Sequence, residues 1–234
     1  IARTPAKAEH LGIEVRKGDY NNVDDFSEAL KGIDSVLLVS GMDEPKKRIE
    51  QHRNVIHAAQ KNGVRKIVYT SVVGDEEKSG FNAVVKSNRQ TESDIKNSGL
   101  DWAIGRNGLY IEPDIEYLNE YIKEGEIRNC AGNGKCAYTS RTELAVAYTQ
   151  MLLDKKHNKQ IYNLVGEAIT QAQLAQSFNA VFKTNLKYKS VSVADYKVER
   201  TKALGDFIGL VIAGIYEGIK NGANDVASDF EKEC

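Results

Sequence analysis

Two short apolar runs rich in branched side chains, Ile33-Asp34-Ser35-Val36-Leu37-Leu38-Val39-Ser40 and Arg65-Lys66-Ile67-Val68-Tyr69-Thr70-Ser71, bracket one amphipathic helix. No other feature restricts the folding of the chain as tightly. Runs of this kind, without polar alternation, read as strands buried on both faces, as in parallel sheets covered by helices. Between them Ile49, His52, Val55, Ile56 and Ala59 recur at helical spacing, and Asn62-Gly63 ends the helix. The result is a βαβ unit. Upstream, Ile13-Glu14-Val15-Arg16 alternates like a strand, Val23, Phe26 and Leu30 mark a helix, and Gly32 terminates it. Downstream, Val84, Asn88, Thr91 and Ile95 share a helix face, Asn97-Ser98-Gly99 stops that helix, and Leu100 to Ile104 reads as a further strand. Strands alternating with helices predict an α/β fold built on a doubly wound parallel sheet.

After Tyr110 the alternation breaks down. A helix is expected near Ile115 to Ile122, a turn at Gly132-Asn133-Gly134, and a helix opened by the capping box Ser140-x-x-Glu143. Strand Gln160 to Val165, helix Gln171 to Phe182 and a glycine-spaced helix carrying Leu204, Phe207, Ile208, Val211, Ile212, Ile215 and Ile219 complete the chain. The organisation expected is a sheet domain over 1–110, with the remaining sheet elements and a small α/β cap over 111–234.

Composition narrows the partners. Lys plus Arg, 32, nearly balances Asp plus Glu, 33, so a net charge of −1 gives no field to recruit nucleic acid or anionic lipid. A small-molecule partner fits better. The apolar stretch from Phe207 to Ile219 is shorter than the roughly 20 residues a membrane-spanning helix needs. Three cysteines, Cys130, Cys136 and Cys234, are too few for a secreted disulfide framework, and the spacing of the first two matches no standard zinc motif. A cytoplasmic protein without a resident metal is expected. Ile1 is followed by neither a basic nor an apolar leader region, so no signal peptide is expected.

Sheets of this class usually open on a glycine-rich turn that cradles a pyrophosphate at a helix N-terminus. No such turn is found; Gly132-Asn133-Gly134 lacks the strand-to-helix setting. The physical reading is that Ile1-Ala2 is already the second strand, and that about thirty residues with the first strand and helix precede it. On that reading the fragment should bind cofactor poorly and tend to aggregate. The residue after that strand selects the cofactor: a carboxylate bonds a ribose 2′-hydroxyl, whereas arginine accommodates a 2′-phosphate. Here it is Arg3, with Lys7 one turn on, which favours NADP over NAD.

Several motifs now stand in register: Ile1-Ala2-Arg3-Thr4-Pro5-Ala6-Lys7-Ala8, Gly18-Asp19-Tyr20, Gln51-His52-Arg53-Asn54-Val55-Ile56, Tyr69-Thr70-Ser71, Thr91-Glu92 and Arg106-Asn107-Gly108-x-Tyr110. In this order they resemble the NmrA-like atypical short-chain reductases, and most of all the NAD(P)H:quinone oxidoreductase and triphenylmethane reductase type. The resemblance runs from Ile1 through Val165. It implies an NAD(P)-binding Rossmann-like fold, with Arg3 and Lys7 at the adenosine 2′-phosphate, Asp19 and Tyr20 beside the adenine, and Val39, Ser40 and Gly41 along the dinucleotide. Tyr69, Thr70 and Ser71 belong to the same cofactor edge, and Asn107, Gly108, Leu109, Tyr110, Ile111 and Glu112 match a second cofactor-contacting segment near the nicotinamide. The strand ends agree with the rule that ligands bind at the carboxyl edge of open α/β sheets.

Acid and base groups are harder to assign. Tyr216-x-x-x-Lys220 has the Tyr-Lys spacing of classical short-chain dehydrogenases, but it belongs to the C-terminal helix, far from Ser71, and is rejected. Asn88 stands where related quinone reductases can carry histidine. No catalytic residue is fixed; Asn88, Lys86 and Tyr110 are the candidates. His52, on the apolar stripe, reads as a packed helix–sheet histidine, and His57 faces away. Arg141 reads as structural, and Lys46-Lys47-Arg48 as a solvated basic run. The function expected is an NADPH-dependent reductase passing hydride to a quinone-like acceptor, with Tyr110, Phe81 and the Phe207-to-Ile219 helix as candidate walls. The alternative is a non-catalytic dinucleotide sensor acting through a protein partner, and a sugar-nucleotide epimerase ranks last.

Overall fold

The computed structural model describes residues 1–230; Cys234 lies outside the described residues. The chain divides into two compact units, Ile1–Ser71 with Lys86–Gly105 and Tyr148–Ile161, and Val72–Val85 with Arg106–Ala147 and Tyr162–Cys234. The fold is the expected α/β type. Strands β1 (Ser35–Leu38), β2 (Lys66–Val72), β3 (Asp101–Asn107) and β7 (Gln160–Leu164) form one sheet in the order β1-β2-β3-β7. The β1–β2 pair is parallel, with Ser35 opposite Lys66 and Leu38 opposite Tyr69.

In the first unit, α1 (Val23–Ala29), α2 (Pro45–Lys61) and α3 (Asn82–Lys96) accompany these strands. Asn22 caps α1 by accepting from the Asp24 N–H, and Pro45 opens α2, where its missing N–H costs nothing. The core is Phe26, Leu30, Leu38, Val55, Ile56, Ala59, Val64, Ile67, Tyr69, Ile95 and Ile104, all buried. Thus the helix stripe and the second run pack where the pattern puts them, whereas in β1 only Leu38 is fully buried and Val39, just beyond it, is exposed. The buried face of α3 is Val85, Asn88, Thr91 and Ile95; Val84 is only half-buried. Ile13 to Arg16 is not a strand. Its stretch yields a single parallel bridge, Ala2 with Lys17, because alternation there does not coincide with burial: Ile13 is 67% exposed.

The second unit holds β4 (Leu109–Tyr110), β6 (Lys135–Thr139) and β8 (Ala168–Thr170) in a three-stranded sheet, and β5 (Glu126–Asn129) with β9 (Lys187–Ser190) in a parallel pair. The helix expected over 115–122 is two short ones, α4 (Glu112–Glu116) and α5 (Leu118–Glu124), which meet at Tyr117. α6 (Arg141–Leu153) opens on the expected capping box: Ser140 Oγ accepts from the Glu143 N–H at 3.2 Å, and Glu143 accepts from the Ser140 N–H at 3.0 Å. α7 (Gln171–Phe182) has the predicted bounds. The last helix does not begin at Leu204, which instead ends α8 (Val193–Leu204); Gly205, at φ 81°, breaks the path before α9 (Asp206–Lys220). Tyr216 on α9 stacks edge-on against Tyr196, 5.5 Å between ring centres, so its hydroxyphenyl group serves packing.

Candidate functional site

The loop that leaves β1 is held in place before any ligand is considered. The Ser40 N–H donates to Thr70 Oγ1 at 2.9 Å, and Ser40 Oγ lies 2.7 Å from the Thr70 carbonyl and 3.0 Å from Asn88 Oδ1. Tyr20 donates its hydroxyl to the Val39 carbonyl at 2.6 Å. The Gly41 N–H donates to His52 Nε2 at 2.9 Å, and Arg48 donates to the Gly41 carbonyl at 3.2 Å. A parallel strand ending beneath a buried helix has its loop within reach of that helix's first turns, which is why α2 supplies two of the anchors.

The motif Gln51-His52-Arg53-Asn54 gains a physical reading from these bonds. Gln51 donates to Asn21 Oδ1 at 3.0 Å, Asn54 to the Tyr20 carbonyl at 2.9 Å, and Arg53 pairs with Asp94 on α3 at 2.7 Å. Consecutive residues on one helix thereby tie down the loops at 19–22 and 39–43. Both loops line a cavity of about 820 Å³, which also receives Ile1, Arg3 and Asp19. This gathers Arg3, Asp19, Tyr20, Val39, Ser40 and Gly41 around one space. Lys7 lies outside that lining, exposed on a 3-10 turn (Pro5–Leu11). The Asn21 backbone N–H bonded to Asp19 holds its carboxyl below the usual value, with Arg3 and Lys47 adding to the field.

Tyr69, Thr70 and Ser71, buried at the end of β2, support the loop or turn inward. The Tyr69 hydroxyl donates to Asn88 Oδ1 at 2.7 Å, and Ser40 Oγ lies 3.0 Å from the same oxygen. A carboxamide engaged in this way is neither an acid nor a base. Ser71 donates to Glu92 Oε1 at 2.6 Å, and Arg89 reaches the same oxygen at 2.8 Å. Lys86 is exposed. Sequence reasoning missed this pair of a half-buried Arg89 with a buried Glu92, and it misread Arg48. Far from being a solvated charge, Arg48 is 6% exposed and donates to Ser87 Oγ as well as to Gly41. The signal was present, since Arg48 continues the stripe of His52, Val55 and Ala59 one turn back.

His52 is 1% exposed and packs edge-on against Tyr69 and Tyr20, 5.6 and 6.1 Å between ring centres. Burial, with the Arg48 charge adding to it, lowers its pKa from 6.5 to about 3. The sign of the consequence is fixed. Below pH 6.5 the unfolded chain takes up a proton that the folded chain refuses, so stability falls by roughly 1.4 kcal/mol per pH unit between about 6.5 and 3. Urea unfolding of the wild type and His52→Gln from pH 7 to pH 4 checks this, the variant showing the shallower fall.

In the second unit, β4 is the edge strand of the three-stranded sheet, lying between Asn107, the last residue of β3, and Glu112, the first of α4. Leu109 and Tyr110 pair with Tyr138 and Thr139, and Asn107 Nδ2 donates to the Tyr110 hydroxyl at 3.0 Å. Gly108 fits because an added Cβ would stand 2.3 Å from the Ala137 carbonyl. Glu112 accepts from the Arg141 backbone N–H at 2.6 Å, and the Arg141 guanidinium lies over the Tyr110 ring at 5.8 Å. Asp114 is buried, accepts from Tyr121 at 2.7 Å, and has its pKa raised by burial. Cys130 and Cys136 are buried free thiols. Among the described residues no cluster of metal-ligating side chains is found, and no helix is long and apolar enough to cross a membrane.

Comparison with known proteins places these features. Residues 1–155 match the NAD(P)H-binding family model. The chain is 34% identical over 201 residues to quinone oxidoreductase 2 of Escherichia coli, covering 84% of this chain and 69% of that protein. It is 30% identical over 196 residues to an NmrA-like family domain-containing oxidoreductase of Aspergillus flavus, covering 82% of this chain and 64% of that one. The chain thus spans about two thirds of these relatives' lengths. The crystal structure of Citrobacter sp. triphenylmethane reductase complexed with NADP(H) superposes with a TM-score of 0.89 at 31% identity, over 99% of this chain and 83% of that one.

Proposed function

The chain belongs to the NAD(P)H-binding, NmrA-like family of oxidoreductases, and from that premise we propose that it is an NADPH-dependent reductase delivering hydride to a flat, conjugated acceptor of the quinone class. The observation that carries the proposal is the cavity beside β1, whose volume suits a nucleotide and whose walls combine Arg3, Asp19 and a loop fixed by buried partners. These residues fit the adenosine half of the cofactor. Arg3 would face the 2′-phosphate, the ionised Asp19 would accept from the adenosine, and Val39, Ser40 and Gly41 would support the dinucleotide. When bound, the nicotinamide supplies the hydride.

What remains for this chain is to bind, orient and exclude water. Tyr110 and Phe81 offer aromatic contact to the acceptor, and Phe207 and Ile208 on α9 offer apolar contact. Because Asn88 is a carboxamide whose oxygen accepts from Tyr69, the proton that completes reduction is expected from water. Asn107 to Glu112 form the proposed second cofactor segment, and a reducing compartment such as the cytoplasm suits the two free thiols.

The test is NADPH oxidation by the full-length protein with and without a simple quinone, with NADH in parallel. Quinone-dependent oxidation that prefers NADPH is expected, and Arg3→Asp should lower that preference roughly tenfold or more by replacing a charge-assisted bond with repulsion. Cofactor binding without oxidation of any acceptor would overturn the reductase reading in favour of a dinucleotide sensor.

A further inference from the structure

We propose that His52 is the positioning residue of the cofactor loop, holding the Gly41 peptide through its unprotonated Nε2 as one fixed tautomer. The proposal rests on the cofactor reading of the 39–41 loop. The bonds run in one direction. The Gly41 N–H donates to His52 Nε2 at 2.9 Å; His52 Nδ1 meets Thr91 Oγ1 at 2.9 Å; and the Thr91 hydroxyl donates to the Ser87 carbonyl at 3.1 Å. Since Thr91 spends its own proton on Ser87, its oxygen is the acceptor and Nδ1 carries the hydrogen. That leaves Nε2 as the acceptor that the Gly41 N–H requires. The opposite tautomer would set two donors against each other at Gly41 and two acceptors against each other at Thr91.

The imidazole has no room to turn away. Tyr20 and Tyr69 pack edge-on against it, and the Tyr20 hydroxyl closes on the Val39 carbonyl of the same loop. Arg48, one turn earlier on α2, holds the Gly41 carbonyl. The N–H and the carbonyl of Gly41 therefore both end on α2, and the ring bonded to the N–H is oriented by α3. A shift of His52 moves the loop wall that would support the dinucleotide.

Two substitutions separate positioning from packing. Glutamine places its amide oxygen near the position of Nε2, and asparagine places its own near Nδ1. In the full-length protein, His52→Gln should keep the NADPH KM within about threefold of wild type, whereas His52→Asn, which leaves the Gly41 N–H buried and unpaired, should raise it about tenfold. The kcat at saturating NADPH and the KM for quinone should stay close to wild type in both. If turnover is normal in the wild type and the two variants share one NADPH KM, the positioning role is overturned and the reductase reading stands. If the wild type itself takes up no NADPH, the reductase reading falls and His52 has no cofactor to position. Should His52→Asn fail to fold, the nitrogen resonances of His52 in the wild type decide: a protonated Nδ1 with a bare Nε2 is expected, and the reverse tautomer overturns the proposal.

Discussion

Glu92→Ala is expected to cost about 3 kcal/mol of stability, because it removes the buried carboxylate of a part-buried ion pair. The Glu92 side chain is 2% exposed; it accepts from Ser71 at 2.6 Å and from Arg89 at 2.8 Å, with Lys96 at 4.0 Å. The Arg89 side chain is itself only 19% exposed. Deleting the carboxylate leaves a guanidinium and a hydroxyl facing the end of β2 with their shared acceptor gone. Glu92→Gln keeps an oxygen for Ser71 and loses the charge, so about 1–3 kcal/mol is expected. Urea unfolding at neutral pH orders the two variants, and a loss below about 1 kcal/mol in Glu92→Ala would mean that solvent reaches the pair.

The second large effect is expected at Gly134, in the turn before β6. A Cβ there would lie 2.1 Å from the Ile219 carbonyl oxygen, 2.6 Å from its carbon and 2.9 Å from Lys220 Cα. All three are backbone atoms, so no side-chain rotation relieves the clash; either the turn or the C-terminal end of α9 must move. Gly134→Ala should therefore cost about 3 kcal/mol or more. Gly132, two residues earlier, separates the causes. Its φ of +58° disfavours a side chain, yet the nearest atom to an added Cβ is Lys220 Cγ at 3.9 Å. Gly132→Ala should cost only the roughly 1–2 kcal/mol of the left-handed conformation. Thermal unfolding of the two variants side by side checks the difference, and equal losses would place the cost of Gly134 in conformation.

What could be read from the sequence follows from where the partners lie. The βαβ unit was legible because its apolar residues obey a period and its helix ends on Asn62-Gly63, all within one stretch of chain. α8 was not, since of its side chains only Tyr196 is fully buried and Val198 is 67% exposed, leaving no stripe to detect. β9, Lys187–Ser190, is a largely polar strand defined by its pairing with β5, a partner about sixty residues away in sequence. The same distinction divides the site. Strand-end positions such as Val39, Ser40 and Gly41 follow from sheet topology, but Ser71 meeting Glu92 and Arg48 meeting Ser87 are tertiary coincidences that no local pattern encodes. Charged residues in a run read as solvated until a stripe is traced through them, and Arg48 was hidden for that reason.

The loop after β1 has one more consequence. The N–H groups of Ser40 and Gly41 point into the protein, to Thr70 and His52, and the carbonyls of Val39 and Gly41 are taken by Tyr20 and Arg48. If the loop is the cofactor wall proposed above, these four groups are already spent, and it would read a guest more by thickness and outline, with Val39 and Met42 on its open face. Such a wall is a gauge more than a lock: dinucleotide analogues with altered hydrogen-bonding edges but the same profile should pass it, and bulkier ones should not.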